Sequence, residues 1–299
     1  MTDTTLATPL PTRPPVAVEA PPGYWTTVLR RLRRDPVTLF CLTVLTLIVL
    51  AAIFAPLVAP HDPYKTSMLR RLAPMGTPGH LLGTDELGRD LLTRLIYGGR
   101  ISLFMSFTPV ALAFLIGGGL GMTAGFVGGW VNMAIMRTTD VFYAFPSILL
   151  AIAISGAMGA GLVNGLISLT LIFIPPLTRI AESVTTQVRA LPFVEAARAS
   201  GASTFSIIRV HVMSNVIGPV LVYASSLLSV AIVVASGLSF LGLGVSPPEA
   251  DWGLMLNTLR QSIYVAPWNA ALPGAVIFVT CMCFNLLSDG LRQALDIQR

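Results

Sequence analysis

From Pro36 to Pro60 the chain runs through 25 residues without one charged side chain, and from Ile101 to Met136 it does so for 36. The hydrocarbon of a bilayer takes roughly 20 apolar residues of helix to cross, whereas a surface helix of a water-soluble domain keeps a polar face. Both runs are continuously apolar rather than alternating, which selects helices over the strands of a membrane barrel. Composition agrees: 54% of residues are hydrophobic, 11% are charged, and mean hydropathy is +0.76. The fold class that follows is an all-α integral membrane protein.

Arg30, Arg31, Arg33 and Arg34 stand just before the first run. By the positive-inside bias they hold the amino terminus in the cytoplasm. The sequence then divides into a cytoplasmic tail over 1–35, a first transmembrane helix over 36–60, an external loop over 61–100, a five-helix core over 101–288 and a cytoplasmic tail over 289–299. Up to about residue 23 the tail is rich in Pro and Thr and has no apolar periodicity, so it is expected to be disordered. Within the core, Gly128-Gly129 divides the 101–136 run, and further apolar pieces fall near 138–155, 162–178, 212–236 and 268–288, giving six spans. This topology puts 12 cations inside and 7 outside, the correct sign for the bias.

Several function classes fall away. The net charge of +5 comes from 18 Arg and one Lys gathered near span ends, which suits lipid headgroups rather than nucleic acid. Cys41, Cys281 and Cys283 lie inside apolar runs and read as small hydrophobes. His61, His80 and His211 are scattered along the chain without a His-Glu-x-x-His pattern, so no metal site and no catalytic residue is expected. The only lysine, Lys65, follows "PHDPY", which excludes a Gly-x-x-x-x-Gly-Lys phosphate loop. An ATP-driven process would need its ATPase on another polypeptide.

Inside the spans, Gly117, Gly121, Gly125 and Gly129 recur every four residues, a smooth stripe for close helix packing either within one subunit or between two. Pro109, Pro146, Pro175, Pro176, Pro219 and Pro273 bend or break helices. Arg137 and Asp140 are the charges nearest the hydrocarbon, open to reading as a local i, i+3 pair or as a functional group.

The segment from Arg179 to His211 is polar and alanine-rich, with breaks at Leu191-Pro192 and at Gly201. Ala196, Ala197, Ala199 and Ala202 permit close approach by another surface, and Gly201 suits the left-handed end of a helix. This describes a docking knob rather than a span. Glu195-Ala196-Ala197, Gly201 and the nine residues after it resemble the EAA loop of ABC-importer permeases. "GTDELGRDLLTRLIYGGRISL", Gly83 to Leu103, and "SFLGLGVSPPEADWGLML", Ser239 to Leu256, are similar to two external segments of the dipeptide, oligopeptide and nickel importer family. The likeness covers about residues 25–290 and is closest to the shorter permease, the DppC or OppC type. Where many members read Ile-Leu-Pro after the knob, this chain reads Val212-Met213-Ser214.

The resemblance implies a type I ABC-importer bundle with a cytoplasmic coupling helix. It also implies as partners a second, DppB- or OppB-like permease, two ATP-binding subunits that use ATP and Mg, an extracytoplasmic substrate-binding protein, and inner-membrane lipid. No cofactor is expected in this chain itself. The implied cargo is di- or oligopeptides, with nickel, glutathione or another small solute as alternatives. Glu195, Ala196, Ala197 and Gly201 are the implied ATPase-coupling residues. Gly83, Thr84, Asp85, Gly88, Arg89 and Asp90 form either a tight cap over the outer mouth or a contact for the binding protein. A secondary transporter would need acidic or His residues deep in its spans, and these are almost absent.

Overall fold

The computed structural model describes residues 30–295. Most of the expected amino-terminal tail, 1–29, and the last residues of the carboxy-terminal tail, 296–299, lie outside the described residues.

Helix α1, Pro36–Ile53, opens with proline in its first turn and with Asp35 accepting from the Val37 and Thr38 backbone amides. A short turn, Ala55–Val58, continues it past a break at Phe54. The next helix, α2, is Leu91–Val127, capped by Asp90, which accepts from the Thr93 amide at 2.8 Å. It starts ten residues before the expected boundary at 101, so residues 91–100 are helix and not external loop. Arg94 and Arg100 suggested a loop from sequence, but Arg94 is buried and paired and does not interrupt the helix.

The expected span near 138–155 is broken. Helices α3, Gly129–Tyr143, and α4, Ser147–Met158, meet at an 87° bend. The break falls at Pro146, whose ring lacks an N–H to continue the ladder. Helix α5, Leu162–Arg189, carries Pro175 and Pro176. After it come α6, Pro192–Ala199, then a π-helical turn, Ile207–Val212, that runs straight into α7, Met213–Phe240. Ser214 donates to the Val210 carbonyl at 2.9 Å, so the absence of proline there leaves this junction continuous. Helices α8, Trp252–Leu259, and α9, Pro267–Leu295, complete the chain. Among the described residues five helices are long and apolar enough to cross a membrane, or six if the bent α3–α4 pair is one span.

Helices α2, α5 and α7 form the centre. In their most apolar stretches 44% of residues are buried, against 22% for α1 and α9. The glycine stripe explains how α2 and α5 come so close: a Cβ at Gly117, Gly121 or Gly125 would stand 2.7, 2.3 or 2.7 Å from the carbonyl oxygens of Ile174, Thr178 and Glu182. The stripe is therefore spent on packing inside this subunit. Gly129 takes no part, since a Cβ there meets nothing within 4 Å. At the periphery, α1 and α9 share a small cluster of Cys41, Leu45 and Cys283.

Candidate coupling knob and external cap

Helix α6 is only two turns long and depends on its surroundings. Val194 is fully buried and plugs it into the central core. Arg198 lies over the Phe126 ring, 5.3 Å from guanidinium carbon to centroid, which ties α6 to the end of α2. Its carboxyl end closes as a Schellman turn: the Ala202 amide donates to Ala197 O at 3.1 Å and the Gly201 amide to Arg198 O at 3.0 Å, with Gly201 at φ +79°. Glu195 and Ala196 face outward, Ala197 is half-buried, and Phe193 packs at 6.1 Å from the His211 ring. The result is a firmly held but shallow surface that another protein can approach closely.

At the opposite end the residues of the first external motif turn inward. Thr84, Asp85, Arg89 and Asp90 are each at most 4% exposed. Asp85 accepts from the Leu87 and Arg89 amides at 2.9 Å and from Arg89 Nε at 2.6 Å, while Arg89 Nη2 reaches Glu86 at 3.0 Å. Thr84 accepts from the Ala73 amide at 2.9 Å. Gly83 and Gly88 supply turns at φ +78° and +74°. These side chains are consumed by one another.

Arg94 and the pair Asp251-Trp252 were not singled out from sequence, although they lie within the two quoted external segments. Arg94 donates to the carbonyls of Pro63, Pro248 and Glu249 at 3.1, 3.3 and 3.1 Å, so one guanidinium joins three stretches of chain. Asp251 accepts from Ser102 Oγ at 2.6 Å and caps α8 through the Leu254 amide at 3.1 Å. Burial pushes the Asp251 carboxyl above its ordinary range. Trp252 is 1% exposed and donates from Nε1 to Leu95 O at 2.8 Å.

His61 and His80, distant in sequence, stack with ring centroids 4.9 Å apart beside Asp90, and one ligand atom from each of the three residues lies within 4.8 Å of the others. His80 Nδ1 is 2.9 Å from Asp90 and its Nε2 is 3.2 Å from the Arg70 guanidinium. The guanidinium can only donate, so it fixes the His80 proton on Nδ1 and sets a positive charge against any cation there. The trio is a stacked and hydrogen-bonded brace of the segment that precedes α2. His211 remains apart, beside Phe193.

The charges nearest the hydrocarbon form the i, i+3 pair that the sequence left open, and one further contact. Arg137 and Asp140 do approach, at 3.8 Å, but the short contact of Asp140 is with Arg179 of α5, at 2.5 Å. Arg179 in turn lies 4.2 Å above the Tyr143 ring.

Residues 117–297 match the family described as the binding-protein-dependent transport system inner membrane component, and residues 23–74 match the N-terminal transmembrane domain of oligopeptide transport permease C. The chain belongs to this permease family. It is 38% identical to the dipeptide transport system permease protein DppC of Alkalihalophilus pseudofirmus, over 97% of this chain and 96% of the relative. It is 42% identical to the di/tripeptide transport system permease protein DppC of Pseudomonas aeruginosa over 84% of both, and 38% identical to the glutathione transport system permease protein GsiD of Pectobacterium atrosepticum over 91% and 90%. Its backbone resembles the inward-facing MetNI methionine ABC transporter, with a TM-score of 0.56 at 17% identity over 70% of this chain and 98% of that one. That similarity speaks for the fold alone. The permease is thus a multi-pass inner-membrane transport subunit, as its spans and family both require.

Proposed function

We propose that this permease forms half of the pathway of an ATP-driven importer of di- or oligopeptides. A second permease forms the other half, two ATP-binding subunits dock on the cytoplasmic side, and an extracytoplasmic binding protein delivers cargo. ATP and Mg belong to the ATP-binding subunits. The chain's own contribution is mechanical, and it performs no covalent chemistry.

The observation that carries this reading is α6. Its buried Val194 and its Gly201 turn hold Glu195 and Ala196 at the surface in a fixed pose. Two small alanine side chains allow a groove on an ATP-binding subunit to reach the backbone, and Glu195 offers a carboxylate to a basic partner there. When the ATP-binding subunits close, force enters through α6 and passes into α2 by Arg198 and Phe126 and into the core by Val194.

The peptide cargo rests on the similarity to permeases named for dipeptides and di/tripeptides. Glutathione is the second reading, favoured by the relative named for it. The test is uptake by the assembled complex in proteoliposomes supplied with its binding protein and ATP. Labelled alanyl-alanine should accumulate and a hundredfold excess of glutathione should leave that accumulation unchanged. Accumulation of glutathione without dipeptide would replace the first reading with the second.

A further inference from the structure

A guanidinium at the edge of hydrocarbon is costly unless something answers its charge. Five arginines on the external side are answered within the chain: Arg70 meets His80, Arg71 the Glu86 carbonyl, Arg89 Asp85, Arg94 three carbonyls and Arg260 the Phe240 ring. Arg100 differs. It is exposed, and among the described residues it makes no hydrogen bond, ion pair or ring contact.

Its depth follows from its neighbours. Helix α1 has 18 residues, about 27 Å of rise, close to the roughly 30 Å of a bilayer's hydrocarbon. Arg33 and Arg34 mark its cytoplasmic end, so Ala52 and Ile53 stand at the outer boundary. A Cβ on Gly99 would lie 3.4 Å from the Ala52 Cβ, which sets residues 99 and 100 of α2 at that same level. Arg100 therefore stands where the outer headgroups meet the hydrocarbon.

Beside it opens a groove of about 530 Å³, in whose lining Arg100 is the one charged residue; Val49, Ile53, Phe104, Phe107, Leu228 and Phe284 supply most of the apolar wall. Along α2 this wall runs from Arg100 to Thr108, about 12 Å toward the middle of the bilayer. Phe104 and Phe107 are 49% and 62% exposed. The groove is bounded by α1 and α9, the two least buried of the long helices, as well as by α2 and α7, so it belongs to the rim of the bundle. One cation at the interface with apolar wall running inward is the complement of a phospholipid. A protein partner would have to carry an acidic side chain to this boundary at a cost of its own, whereas a phospholipid has its phosphate there already.

We propose that this groove binds an anionic phospholipid of the outer leaflet, its phosphate on Arg100 and one acyl chain along Phe104 and Phe107. The guanidinium fork suits a phosphate bidentately. A headgroup with net negative charge, such as that of phosphatidylglycerol, adds an attraction that the choline of phosphatidylcholine cancels. The site is independent of the cargo.

The test places benzoylphenylalanine at Phe104 in the complete complex, reconstituted into vesicles of equal parts phosphatidylglycerol and phosphatidylcholine with one lipid labelled at a time. On illumination the phosphatidylglycerol adduct should exceed the phosphatidylcholine adduct by about fivefold, the preference that one basic residue near the surface confers. Adding Arg100→Gln should bring the two adducts to parity, and Arg100→Lys should keep most of the preference. Equal adducts with Arg100 intact overturn the site, and that arm needs no substitution at Arg100. A preference that survives Arg100→Gln overturns it too, since the enrichment would then be general to the protein's surface. Capture of the partner permease in place of lipid, or no lipid adduct at all, overturns it as well and makes the groove a contact between subunits or a closed surface.

Discussion

Arg94 and Asp85 face each other at 3.4 Å in the outer cap, each with a side chain only 3% exposed. Neither charge is free, because Asp85 also holds Arg89 and Arg94 also holds three backbone carbonyls. Truncating one member of such a group leaves the others buried with unmet demand, at a cost of about 3–5 kcal/mol. Arg94→Ala should lower the thermal midpoint of the purified permease accordingly, while Lys65→Ala on the exposed part of the same loop should leave it unchanged.

The cap should also be sensitive to acid through Asp90. Burial alone would raise its carboxyl, but the Thr93 amide, His80 and His61 together bring it below its ordinary 3.8. A lowered carboxyl contributes stability that is present above its unfolded value and lost as pH falls through the folded one. Thermal midpoints measured from pH 6 down to pH 3 should therefore fall more steeply in the parent than in Asp90→Asn, with the difference confined to the region below about pH 4.

Packing of α2 on α5 gives a contrast between two neighbouring glycines. A Cβ at Gly121 would stand 2.3 Å from Thr178 O and 2.6 Å from the Ala181 Cβ, so Gly121→Ala must push the helices apart and should destabilise by about 1–3 kcal/mol. At Gly118 a Cβ meets nothing within 4 Å, and alanine there should be neutral or stabilising by up to about 1 kcal/mol through helix propensity. Denaturation of both variants in the same detergent reads the difference.

Sidedness has a direct check. Leu69, Tyr264 and Phe205 are 100%, 96% and 73% exposed. With Cys41, Cys281 and Cys283 replaced by alanine, an impermeant thiol reagent applied to intact cells should label Leu69→Cys and Tyr264→Cys and spare Phe205→Cys. Labelling of residue 205 with sparing of 69 and 264 would invert the topology.

Most of the spans were legible because lipid demands long uncharged helices, and such runs are visible without any knowledge of packing. The start of α2 was not, since sequence gives Arg94 the cost of a charge in hydrocarbon while the fold gives it carbonyls and Asp85 as partners. Pro146 was readable as one of six prolines that bend or break helices, but the run around it is apolar on both sides, and composition cannot tell which of the six turns the chain by 87°. Gly201 was readable as a helix end because its demand for positive φ is local. The pairing of Asp140 with Arg179, and of His61 with His80, joins residues far apart in sequence, which a local pattern does not contain.

The central claim is that α6 carries the load between the ATP-binding subunits and the membrane. Ala196→Trp enlarges its outward face without touching the core, and should overpack the docking contact by about 1–3 kcal/mol, roughly a tenfold to hundredfold loss in the docking equilibrium. Co-purification of the ATP-binding subunits with the tagged Ala196→Trp permease measures this directly. The account predicts that the partner permease is retained in full while the ATP-binding subunits are lost at least tenfold; full retention of both, with normal uptake, would contradict it.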